Sequence, residues 1–133
     1  MTPVEFRRHL HRHPELSFRE TESARFIAEA LREAGIPCRP IAGTGVLAKI
    51  EGRGDLRRAV VLRADIDALP IREQSGAAWS SENDGVMHAC GHDIHAAVLY
   101  GTLLRLSAER NFEGTPVSYT HLQPTRRRGI SYA

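Results

Sequence analysis

An α/β fold is what this sequence predicts, and three observations carry that expectation. Apolar residues recur at helical spacing through the first 35 positions, and short β-type runs replace them between residues 46 and 64. Helical spacing then resumes after Asp93. Helix, strands and helix in that order suit a sheet with helices layered against it.

Thr2-Pro3, followed by Val4, Phe6 and Leu10, predicts a short first helix with Thr2 as N-cap and Pro3 at its first position. His13-Pro14 ends it, because the residue before a proline is pushed out of the helical region. A second helix is predicted from Ser17 to Gly35. Ser17 serves as cap and Glu20 completes a capping box, with Phe26, Ile27, Ala30, Leu31 and Ala34 on one apolar face. Gly35 stops it.

Residues 46–50 read as a strand, residues 52–55 as a turn and Ala59 to Ala64 as a second strand. The second run is apolar on consecutive positions, which predicts a central strand covered on both faces. Pro70 to Gly85 forms a long loop, and the helix after Asp93 offers Ile94, Ala97, Val98, Leu104 and Leu106 for burial. A further strand is expected after the turn at residues 111–114. The segment 116–133 breaks the pattern and reads as a non-native, disordered tail, leaving residues 1–115 as the folded unit.

The formal net charge of +2 comes from that tail, where Arg126, Arg127 and Arg128 lie. Residues 1–115 hold 15 basic and 16 acidic side chains, so no basic face for nucleic acid is expected. No apolar run reaches the roughly 18 residues of a membrane span. Two cysteines, one among histidines, fit a reducing compartment, and cytoplasm is the expected location.

Chemistry concentrates in residues 87–95. His88, Cys90, His92 and His95 place four potential metal ligands within eight positions. Cys90 and His92, separated only by Gly91, project the same way in an extended or turn segment, and Asp93 is placed to orient a ligand imidazole. Asp65 and Asp67 alternate just past the end of the second strand, where open α/β sheets put their sites. His9 and His13 share a helix face and read as a solvated helix end. His121 lies in the tail and carries no weight.

Taken together, residues 10–18 (LHRHPELSF), 62–70 (LRADIDALP) and 87–95 (MHACGHDIH) resemble the aminoacylase/hippurate hydrolase family of metal-dependent amidohydrolases. The branch resembled includes N-acyl-amino-acid amidohydrolases and auxin-conjugate hydrolases, and the resemblance covers residues 4–115. It implies that residues 1–115 are the N-terminal part of a zinc-peptidase-like catalytic domain, a mixed sheet flanked by helices, with the lid domain absent. It implies hydrolysis of the amide bond of N-acyl amino acids at a site of two divalent ions, manganese, zinc, nickel or cobalt. Cys90 and His92 match its metal ligands and Asp67 the acid that supports the site, while Asp65 and Asp93 take supporting roles.

The family's Gln-Pro-Ala-Glu-Glu segment, which carries the general base, has no counterpart. Gln123-Pro124 runs on into Thr125-Arg126-Arg127. The chain is therefore expected to be inactive alone. Its expected partner is a small N-acyl amino acid, not nucleic acid or membrane, with homodimerisation reserved for the intact protein and its lid. A different class also fits the residues: a small non-catalytic metal-binding domain using His88, Cys90, His92 and His95.

Overall fold

The computed structural model describes residues 1–120. Helix α1 runs Pro3–Arg12, α2 Thr21–Glu33 and α3 His92–Glu109, with strands β1 Cys38–Ile41, β2 Gly45–Lys49, β3 Ala59–Ala64 and β4 Thr115–Thr120. The four strands form one mixed sheet in the order β1-β2-β4-β3. β2 pairs antiparallel with β1 and β4, whereas β3 runs parallel to β4. That parallel pair is joined through α3, the crossover that parallel neighbours require. The fold class is the expected one.

α1 begins as its sequence dictates. The Thr2 hydroxyl accepts from the Glu5 amide at 3.2 Å, and the Glu5 carboxylate accepts from the Thr2 amide at 2.7 Å. α1 lies along α3, with Phe6 stacked on Tyr100 at 4.3 Å between ring centroids. Phe6 and Leu10 of α1, Ile27 and Leu31 of α2, and Leu99 and Leu103 of α3 form one core with Val46, Ala48 and Ile50. The sheet residues in this core alternate along β2, so they present a single face to the helices.

α2 departs from expectation at its start. It begins at Thr21, and neither Ser17 nor Glu20 caps it with a side-chain bond. Glu15 does so instead: its carboxylate accepts from the Glu22 amide (3.2 Å), the Ser23 amide (2.7 Å) and the Ser23 hydroxyl (2.7 Å). A carboxylate there also meets the positive end of the helix dipole. Glu20 is buried and takes the Thr44 hydroxyl at 2.6 Å. The other end follows the sequence. Gly35 adopts φ +70°, its amide donates to Arg32, and the Ile36 amide donates to Leu31, the two bonds of a Schellman motif.

Three further differences concern the sheet and its cover. β1 carries no apolar alternation and holds Pro40, which suits an edge strand that sequence pattern does not announce. Among the described residues β3 is also an edge strand, where a central one was expected, and Val60 and Val61 are exposed. On α3, Ile94 and Val98 are exposed, and Ala96, Leu99, Tyr100 and Leu103 supply the buried face.

Residues 116–120, set apart with the tail on sequence, form most of β4 in the middle of the sheet, with Ser118 and Thr120 buried. The pairing partners on both sides hold this strand, which its weak local pattern conceals. The rest of that segment, 121–133, lies outside the described residues.

Glu15→Ala should cost this chain about 1–2 kcal/mol in urea unfolding, the scale of a lost helix cap. Val61→Ala should stay within about 0.5 kcal/mol, as expected of an exposed position. Equal losses at both positions would contradict the assigned cap.

Candidate functional site

Three stretches distant in sequence meet at the backbone of Ala68 and Leu69, just beyond the end of β3. Leu16 bridges Ala68 in parallel, and the Ala68 amide donates to the Glu15 carbonyl at 2.8 Å. On the next residue, Leu69 and Met87 exchange two backbone bonds, 2.9 and 3.0 Å long. The pairing places the His-Cys-His segment and the start of α3 beside Asp67. Gly91, at φ +82°, makes the turn into α3 in a conformation that side chains with a Cβ rarely adopt.

His92 is the first residue of α3. Its Nδ1 lies 2.8 Å from Asp67 Oδ1 and 3.0 Å from the Asp67 carbonyl oxygen. Both partners are acceptors, so Nδ1 carries the proton and donates. The other Asp67 oxygen, Oδ2, accepts from the Ser17 hydroxyl at 2.7 Å. Asp67 is buried, and each of its carboxylate oxygens has a donor.

Asp93 faces a different set. It is fully buried, and its Oδ2 lies 2.6 Å from Arg7 Nε and 2.8 Å from His11 Nδ1. His11 reaches Glu73 through its other nitrogen, at 3.1 Å. Beside them sits His88, buried and with neither ring nitrogen hydrogen-bonded among the described residues. Burial, opposed by the nearby Asp93, pushes its imidazole down to about 4. His11, Glu73, His88, Cys90 and Asp93 line an open cleft of about 470 Å³.

The structure thus joins Asp67 to His92 and leaves other predicted residues apart. Asp65 pairs with Arg63 at 2.7 Å. Cys90 is exposed with a free thiol, and His95 lies on the exposed side of α3, its ring centroid 5.7 Å from that of His92. His9 stacks on Phe26 at 3.7 Å, and His13 approaches Glu82 at 3.6 Å. Sequence reasoning gave no site role to His11 or Glu73, and it read Ser17 as a helix cap. His11 and Ser17 lie in the quoted 10–18 block, but Glu73 sits in a long loop with no local signal.

The residues present fit a share of a metal centre. A carboxylate on one imidazole nitrogen fixes the tautomer and leaves the opposite nitrogen for a cation. The donor set of one thiol and one imidazole suits borderline divalent ions. Among the described residues, no three His, Cys, Asp or Glu side chains are grouped to hold an ion, so the share is partial. The closed four-ligand alternative lacks its geometry here, since His88 is buried and His95 exposed.

Comparison with known proteins shows what the chain is similar to. Residues 61–120 match the family described as Peptidase family M20/M25/M40. This segment is M20 sequence. An N-acetyl-L-cysteine deacetylase of Bacillus subtilis is 49% identical over 109 residues, 81% of this chain and 26% of that protein. An N-acyl-L-amino acid amidohydrolase of Geobacillus stearothermophilus is 48% identical over 100 residues, 74% of this chain and 27% of that protein. The chain therefore spans about a quarter of the length of these relatives.

Among solved structures, a dinuclear metal binding M20 peptidase of Bacillus subtilis superposes with a TM-score of 0.85 at 44% identity. It covers 89% of this chain, which in turn covers 34% of it. An aminoacylhistidine dipeptidase of Vibrio alginolyticus shares the fold at a TM-score of 0.61 and 20% identity, over 94% of this chain and 28% of its own. No helix among the described residues is long and apolar enough to cross a membrane.

Glu73 gives the site's surroundings a measurable signature. Burial works to raise its carboxyl, but hydrogen bonds from the Ser75 hydroxyl, the Ser81 amide and His11 outweigh that and hold it at about 2 instead of 4.5. A folded pKa below the unfolded one gives stability that is complete above pH 4.5 and lost as pH falls through 2. This group should remove about 2–3 kcal/mol of unfolding free energy across that window. In acid titrations of stability, Glu73→Gln should flatten that part of the curve; an unaltered acid limb would refute the network.

Proposed function

We propose that the chain is the metal-binding N-terminal part of an amidohydrolase that cleaves the amide bond of N-acyl amino acids. One observation carries the reading: the buried Asp67 carboxylate holds His92 through Nδ1, at the junction of three sequence blocks. The M20 match over residues 61–120 supports it, as do relatives named for deacylation of N-acyl amino acids.

In this reading, Cys90 and His92 are ligands from this chain to a pair of divalent ions, manganese, zinc, nickel or cobalt. Such ions, when bound, supply Lewis acidity at the scissile carbonyl and at the attacking water. The chain's own residues prepare that chemistry. Asp67 keeps the His92 proton on Nδ1, so the ring offers Nε2 to the cation. Asp93, held by Arg7 and His11, fixes the first turn of α3 and hence the direction in which His92 points. Asp65, paired with Arg63, takes a supporting role.

The chain contributes no identified general base, because Gln123-Pro124 is followed by Thr125-Arg126-Arg127. We take it to be inactive by itself, and homodimerisation to belong to the intact protein. Its ligand is a small N-acyl amino acid.

The test replaces the matching segment of the Geobacillus amidohydrolase with residues 1–115 of this chain. The chimera should hydrolyse N-acyl amino acids when supplied with divalent metal, while the chain alone should not. Cys90→Ser should cost the chimera more than the ~10–100-fold typical of supporting partners, and Asp67→Asn should fall within that range. Turnover unaffected by Cys90→Ser, or turnover by the chain alone, would overturn the assignment.

A further inference from the structure

We propose that Ser17 is a positioning residue of the metal centre, its hydroxyl clamping the Asp67 carboxylate in the orientation that holds His92. The proposal rests on the reading of His92 as a cation ligand. It begins from an unexpected observation: the serine that the sequence offers as a helix cap makes no cap. Its Oγ donates to Asp67 Oδ2 at 2.7 Å, across 50 residues of sequence.

A carboxylate bonded through one oxygen alone can still turn about its Cβ–Cγ bond. Asp67 is bonded through both. His92 Nδ1 sits on Oδ1 at 2.8 Å and Ser17 on Oδ2 at 2.7 Å, which fixes the carboxylate plane. Ser17 is itself held, because the residue before it bridges Ala68 and the Glu15 carbonyl takes the Ala68 amide. Hydroxyl and carboxylate thus ride on the same paired backbone.

Without the hydroxyl, Oδ2 becomes a buried acceptor lacking its donor, and Asp67 turns toward whatever donor it can find. The His92 proton then keeps only the longer contact to the Asp67 carbonyl oxygen, 3.0 Å away. A ligand imidazole whose carboxylate partner is disturbed typically loses 10–100-fold in metal affinity.

The experiment uses this chain in three forms that alter the hydroxyl. Ser17→Ala and Ser17→Gly remove it by two routes, and Ser17→Thr retains it; folding is checked by circular dichroism. In the metal-free protein, the His92 Nδ1 proton is followed by NMR. Its exchange with water should accelerate at least tenfold on losing the hydroxyl and return toward the parent rate in Ser17→Thr. In cobalt titrations read by visible absorption, affinity should fall at least tenfold in the first two variants and recover in the third.

Unchanged exchange and unchanged cobalt affinity in a folded hydroxyl-free variant would overturn the role of Ser17. If the parent chain binds no cobalt, and Cys90→Ser makes no difference, the metal reading fails instead. The proton-exchange comparison then still decides whether Ser17 holds Asp67.

Discussion

The backbone pairing at Ala68 and Leu69 is the constraint on which the site depends. Neither residue has chemistry of its own. Yet Ala68 ties the Pro14–Ser17 turn to the end of β3, and Leu69 ties in the segment that enters α3. Asp67 sits at the start of this ladder, so its side chain meets a residue from each bound segment. Strand register sets those meetings, because a shift of one residue would turn Asp67 to the opposite side. The hydrogen bonds of Asp67 are therefore consequences of a fold-level alignment as much as of their own strength.

The second polar group at the site has a different energetic character. Arg7, His11, Asp93 and Glu73 bring charged or chargeable groups into a buried setting, and such networks seldom add much net stability. Their effect is asymmetric: removing one partner strands the others, which is costly, whereas the intact network specifies one arrangement. Asp93 Oδ1 and both His88 nitrogens have no hydrogen bond among the described residues. These atoms lie next to the His92 turn, on the side of the cleft that His11, Glu73 and Cys90 also line.

Much of this was legible in the sequence, and what was hidden has a common cause. Some local signals held: Thr2-Pro3 started α1, Gly35 ended α2, and Ile27, Ala30 and Leu31 of α2 entered the core, whereas on α3 the expected Ile94 and Val98 are exposed. Asp67 and the Cys-Gly-His turn stood out because ligand-type residues are conspicuous when clustered. Long-range pairing had no such signature. Glu15 rather than Ser17 caps α2, because the helix begins at Thr21 and the Glu15 carboxylate reaches the Glu22 and Ser23 amides. Glu73 reached His11 from a loop whose sequence carries no period. β3 read as central because consecutive apolar residues imply two covered faces, but among the described residues β4 pairs with only one of its edges.

His92 and Asp93 show why the first turn of α3, rather than any single ligand, is the mechanical centre. Successive helical residues point about 100° apart, so these two side chains leave the helix in different directions. His92 is gripped by the acid after β3, and Asp93 by Arg7 and His11 of α1. The two grips hold different sides of the turn, on a helix already fixed by core packing. The same arrangement explains how exposed apolar residues on α3 and a site-bearing turn coexist on one helix. Beyond its first turn it is held by core packing of Ala96, Leu99 and Leu103, and at the first turn by polar contacts with two other segments. Orientation of the imidazole thus rests on polar contacts at the first turn, and most of the helix's packing on apolar ones.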